Sequence, residues 1–168
     1  MERSVLPIFT NAKSTPFRNS RGQPPGVDMP ARVLALLENQ ESASVVSSCL
    51  DEAGHNVSIT SNYREAKSIL TAHHFDLIIS DVHLQNGGSV FEFLKWVSQN
   101  TKVRDINFVL FSLAPTELAK SMAKEVQLAA QILGASKYLV MESFDSQLFL
   151  EEIEAVLQST CRPAYMRR

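Results

Sequence analysis

A chain of 168 residues, 45% apolar and 20% charged, suits one soluble domain that can bury a core. Two cysteines, at 49 and 161, exclude a disulfide framework and a four-cysteine zinc site and point to a reducing, cytoplasmic setting. No apolar run approaches the ~18–20 residues of a membrane span, no secretory signal opens the chain, and a formal net charge of −2 gives no general pull toward nucleic acid.

That charge is unevenly spread. Residues 1–30 carry +2 and the last nine residues +3, which leaves −7 for the body between them. Residues 1–30 also hold five of the seven prolines and no apolar periodicity, so they are expected to be a disordered extension. Residues 31–158 are expected to form the folded domain, with 159–168 a basic, flexible tail.

From Ala31 onward, short apolar runs alternate with helical patterns. The runs at 32–37, 75–80 and 106–111 are nearly continuous, as strands buried on both faces of a parallel sheet must be; 55–60 alternates and is expected near an edge, and 136–141 closes the series. Residues 41–53 present Val45, Val46, Cys49, Leu50 and Ala53 on one face, with Gly54 at the left-handed position after the helix. In 62–73, Asn62 and Glu65 have capping-box spacing ahead of the stripe Tyr63, Ala66, Ile69 and Leu70. In 89–99, Ser89 and Glu92 repeat the box, with Val90, Phe91, Leu94 and Val97 inward. One long helix is expected over 115–133, opened by Pro115 and carrying Leu118, Met122, Val126, Ala129 and Leu133 inward; the last, over 145–158, shows Leu148, Phe149, Ile153, Val156 and Leu157. Strand and helix repeated five times predict an α/β fold: a flavodoxin-like doubly wound parallel sheet, order 2-1-3-4-5, with helices on both faces.

In such a sheet, ligands gather at the carboxyl ends of the strands, where the winding reverses between strands 1 and 3. Glu38 follows strand 1, Asp81 ends strand 3 and Ser112 ends strand 4. Facing carboxylates repel unless a cation or proton lies between them, and oxygen ligands of this kind suit Mg²⁺. One reading is therefore a carboxylate that accepts a phosphoryl group with metal assistance; the other is a set of solvated loop acids at the sheet edge.

The segment 76–97, DLIISDVHLQNGGSVFEFLKWV, resembles the phosphoacceptor region of response-regulator receiver domains, and the likeness runs from about Arg32 to Leu157. It places Asp81 at the acceptor position, Ser112 at the hydroxyl position and Tyr138 at the aromatic that couples phosphorylation to the far face. Ala53-Gly54 and Gly134-Ala135-Ser136 match as well. By this resemblance, Mg²⁺ would be held by Glu38, Asp81 and the backbone carbonyl of His83.

The departures bear on function. Leu37 stands where the family has a second acid, and Met141-Glu142 replaces its lysine-proline pair, with Glu142 expected to repel added phosphate. Lys137 lies too early in its strand to substitute, and the loop Gln85-Asn86-Gly87-Gly88 lacks the usual proline. The resemblance implies a stand-alone receiver that accepts a phosphoryl group on Asp81 from a histidine kinase or phosphotransfer protein. Only eleven residues follow Leu157, so output to a downstream partner is expected through protein contact. A homodimer through the face of the fourth helix, fifth strand and last helix is an allied expectation. The rival reading is a phosphorylation-independent pseudo-receiver that acts as an interaction module.

Other candidates are weaker. His55, His73, His74 and His83 read as solvated histidines at helix ends, because no second ligand pair has metal-binding spacing. Cys49 reads as a buried small hydrophobe, Cys161 as an unactivated tail thiol and Trp96 as half exposed. The basic ends lack the interleaved aromatics of a nucleic-acid surface. An FMN-binding loop is excluded by Glu38 and Glu41, whose charges would repel a phosphate, and a dehalogenase-type phosphatase by the absence of Asp-x-Asp after strand 1.

Overall fold

The computed structural model describes residues 30–82 and 89–160. The expected extension up to Met29, His83, the Gln85–Gly88 loop, Cys161 and nearly all of the basic tail lie outside the described residues. Along the rest run β1 (Arg32–Leu36), α1 (Gln40–Glu52), β2 (Asn56–Thr60), α2 (Tyr63–Ala72), β3 (Leu77–Asp81), α3 (Val90–Gln99), β4 (Asn107–Leu113), α4 (Glu117–Ser121), α5 (Ala123–Ile132), β5 (Lys137–Met141) and α6 (Ser146–Thr160). The strands pair in parallel in the order β2-β1-β3-β4-β5, the doubly wound order the alternation predicts.

Side chains along a strand point alternately to the two faces, which divides the core in two. Leu34, Leu36, Ile78, Phe108 and Leu110 meet α2, α3 and α5 on one face. Val33, Ala35, Leu77, Ile79, Val109 and Phe111 meet α1 and α6 on the other. The three inner strands are therefore apolar at nearly every position. β2, mostly exposed, occupies an edge as expected.

Local chemistry sets the helix ends. Asn39 caps α1 by accepting from the N–H groups of Glu41 (2.8 Å) and Ser42 (3.1 Å). Gly54 and Gly134, with φ of 92° and 102°, take the left-handed turns that follow α1 and α5. Asn62 accepts from Glu65 N–H (2.8 Å), but the Glu65 carboxylate accepts from Thr60 Oγ1 (2.5 Å), tying the start of α2 to the end of β2.

Four expectations need correction. In α3 the deeply buried ring is Phe93, with Phe91 only partly covered, because Phe93 continues the i, i+3, i+4 stripe of Val90, Leu94 and Val97. The single long helix over 115–133 is two: Thr116 caps α4, which leaves Pro115 outside it, and the chain breaks at Met122 (φ −97°, ψ 3°) before α5. Leu118, Met122 and, in α6, Leu148 face solvent; Ala130 is the residue of α5 that is fully buried. Periodicity identifies an apolar face without showing what covers it. Finally, His55 is buried rather than solvated. Its Nδ1 accepts from Ala31 N–H (3.1 Å), so the ring proton sits on Nε2 and is donated to Glu154 Oε1 (2.8 Å), tying the start of β2 to α6.

Candidate functional site

Winding reverses between β1 and β3, and the two strands end side by side, Leu36 in register with Ser80. Asp81 closes β3, and the N–H of Glu38, two residues beyond β1, donates to Asp81 Oδ2 at 3.2 Å. Two acids thus share one strand-end corner. Leu37, immediately before Glu38, turns the other way: it is buried in the α1–α6 core, and its N–H bonds the Thr60 carbonyl (3.1 Å).

On the next strand Asp81 pairs with Phe111, so Ser112 lies one residue beyond it at the same end of the sheet. Tyr138 is in register with Leu110 and packs against the α2–α3 core. Burial pushes the Tyr138 phenol up, while its interaction with the Ser112 hydroxyl pulls the other way. The fold therefore joins Glu38 to Asp81 and Ser112 to Tyr138. His83 lies outside the described residues.

At the end of β5, Met141 is buried among apolar side chains, and its carbonyl accepts from Ala114 N–H (2.7 Å). Ala114 holds a left-handed φ of 48°, strained for a residue with a Cβ. Glu142 does not point unpaired charge at the site. It bonds Lys120 of α4 (2.8 Å), which also takes Glu117 (2.7 Å), so a single lysine is shared by two carboxylates. Lys137, at the far end of β5, pairs with Glu152 and is remote from Asp81, as expected.

Sequence reasoning missed Tyr63, which it assigned to the apolar stripe of α2. The ring is 4% exposed and stacks on Phe93 at 4.8 Å, while its hydroxyl is buried with no hydrogen-bond partner among the described residues. Ser80 lies close enough to act on the phenol, but its own hydroxyl proton goes to the Asp81 carbonyl (3.0 Å), so it has none left to donate to Tyr63. Burial pushes the Tyr63 phenol up to about 12; Ser80 opposes that shift, and the negative charges of Asp81 and Glu38 add to it. The missed signal was a phenol at the first residue of a helix that follows a strand end, where the sheet presents its site.

Beside Glu38, between α1 and the end of β2, runs an open groove of about 610 Å³ bordered by Ser44, Ser47, Ser48, Ile59 and Glu65. Among the described residues no group of three or more His, Cys, Asp and Glu gathers as a metal centre. Among the described residues Glu38 and Asp81 supply hard oxygen donors, a set that fits a cation keeping most of its water, as Mg²⁺ does. Cys49 is buried at 3.7 Å from the Ser146 carbonyl, and burial, with Glu52 adding, pushes its thiol up and keeps it protonated. His73 and His74 are exposed, and Trp96 is half-buried, with the Lys67 ammonium 5.3 Å from its ring. No described helix is long and apolar enough to cross a membrane.

No family model matches the chain, and no curated protein does. Solved structures do. The chemotaxis response regulator CheY4 of Vibrio cholerae is 27% identical, with a TM-score of 0.65 over 76% of this chain and 98% of that one. The signal receiver domain of a signal transduction histidine kinase from Syntrophus aciditrophicus is 19% identical, with a TM-score of 0.64 over 82% of this chain and 98% of that one. The beryllofluoride-activated NtrC4 receiver-domain dimer is 21% identical, with a TM-score of 0.64 over 77% and 98%. The chain has the receiver-domain fold of response regulators.

Proposed function

We propose that residues 31–158 act as a phosphoacceptor receiver, flanked by the 1–30 extension and the 159–168 tail. The observation that carries this reading is the placement of Asp81 at the winding reversal, bonded by Glu38 N–H, with Ser112 on the adjacent strand end. A histidine kinase or phosphotransfer protein presents phosphohistidine. An Asp81 carboxylate oxygen forms the new P–O bond as the P–N bond breaks, and imidazole leaves with the bond's electron pair. Glu38 and Asp81, with the His83 carbonyl, would hold Mg²⁺, which when bound neutralises charge on the phosphoryl oxygens. Ser112 then donates to a phosphoryl oxygen and gives up its interaction with Tyr138, whose ring shifts. With Leu37 and Met141 in place of an acid and a cation, transfer is slower or its product less stable than in a site with both.

Signal leaves through protein contact with a downstream partner or a second copy. Leu118 and Met122 at α4, Leu128 and Ile132 on α5, and Val140 on β5 support that reading, because they stand exposed on consecutive elements. These same apolar positions favour the second reading, a pseudo-receiver that binds a partner without phosphorylation.

Incubation with acetyl phosphate and Mg²⁺, followed by intact-mass measurement, separates the two. A one-phosphate adduct is expected on the native chain and not on Asp81→Asn. Native protein that stays unmodified, and does not respond to beryllofluoride, leaves only the interaction module.

A further inference from the structure

Buried hydroxyls almost always find a hydrogen-bond partner, so an unpaired one beside a cluster of acids marks a donor waiting for an acceptor. Tyr63 is such a group. Its ring is locked by the stack on Phe93, nearly parallel at 21°, and Phe93 is backed in turn by Trp96 at 6.0 Å and Phe108 at 5.9 Å. Its backbone is set at the first residue of α2 by the Asn62 cap and the Glu65–Thr60 bond. A side chain held at both ends keeps its hydroxyl in one place. That place is the polar end of the sheet, among Ser80, Asp81 and Glu38.

We propose that the Tyr63 hydroxyl is part of the Asp81 site and donates a hydrogen bond to an oxygen of the phosphoryl group that Asp81 carries. The inference rests on the phosphoacceptor reading of Asp81 and deepens it. A phenol in this setting stays protonated through neutral pH, because burial disfavours its ionised form and the charges of Asp81 and Glu38 add to that. It can therefore donate to an anion and cannot serve as a base. A phosphoryl group brings three acceptor oxygens into a corner where the one proton of the Ser80 hydroxyl is already given to the Asp81 carbonyl. On the β5 side, Met141 supplies no donor to that group. Tyr63 approaches from the opposite side, from α2 above β1 and β3, and restores one charge-assisted hydrogen bond to a site short of cations.

The test uses Tyr63→Phe, which keeps the ring on Phe93 and removes only the hydroxyl. Binding of beryllofluoride in the presence of Mg²⁺ is measured by calorimetry on both full-length proteins, with thermal unfolding of each without ligand. The variant is expected to bind about 10-fold more weakly, the range of one hydrogen bond to a charged group, while its unliganded midpoint stays level or rises. A hydroxyl that is merely buried predicts the same midpoint behaviour with unchanged affinity, and equal affinities overturn the proposal while the Asp81 reading stands. A native protein that binds no beryllofluoride overturns both.

Discussion

On the α2–α3 side of the sheet, rings and aliphatic chains interlock: Tyr63, Phe93, Phe108, Leu94 and Val97 are all almost inaccessible, and helix caps fix both helices against the strand ends. On the α4–α5 side the chain breaks at Met122, α4 lasts five residues with none of them buried, and four large apolar side chains there meet water. The acids of the candidate site lie at the rigid side and the exposed apolar groups at the loose side. A binding corner must hold donors to a fraction of an ångström, whereas a surface that changes partners gains from being weakly committed to its own core. Ser112 and Tyr138, on β4 and β5, sit at the seam between the two.

The contrast can be broken by mutation. Phe93→Ala removes the ring that Tyr63, Trp96 and Phe108 all touch, and is expected to cost about 3–5 kcal/mol in urea unfolding. A loss under 1 kcal/mol would show that the packed side is no more committed than the other.

A smaller effect comes from pH. Below pH 10 the Tyr63 phenol is neutral both folded and unfolded; between 10 and about 12 the unfolded chain loses that proton and the folded chain keeps it. The folded state then holds more protons, so stability falls as pH rises through that window, by about 2 kcal/mol from this one group. Unfolding of the native chain and Tyr63→Phe across pH 9–12 isolates the contribution, and the variant should show the shallower decline.

Smaller still is Ala114→Gly, on the loose side, which relieves a left-handed alanine and should raise stability by about 1 kcal/mol. An unchanged midpoint would mean the Ala114–Met141 backbone bond was not bought with strain. Smallest is Ile132→Ala: a side chain 75% exposed should shift stability by no more than about 0.5 kcal/mol. A larger cost would place Ile132 in an interface of the protein in solution.

Much of the fold was legible in the chain. Apolar runs spaced by amphipathic segments identify strands buried on both faces, and the sheet order follows from the few ways such units can wind. Glu38, Asp81 and Ser112 could be placed at one end of the sheet because each directly follows an apolar run in the sequence, and strand ends are legible where such a run meets a polar residue. Tyr63 was not legible as a site residue. A tyrosine at helical spacing reads as core, and only three-dimensional packing shows that the ring is core while the hydroxyl faces acids 18 and 25 positions away in the chain. The ion pair of Glu142 was not legible for a related reason, since its partner Lys120 comes from another element.

The sequence by itself determined the alternation, the two-sided burial of the inner strands and the identity of the acids at the winding reversal, because these depend on local period and on order along the chain. Tertiary structure alone decided that Leu37 turns into the core, that the stripe of α4 and α5 is left largely uncovered, that His55 is buried against Glu154, and that a phenol from α2 shares the corner with Asp81. Each of those outcomes depends on which surface a side chain meets across the fold, and periodicity along a chain carries no record of that meeting.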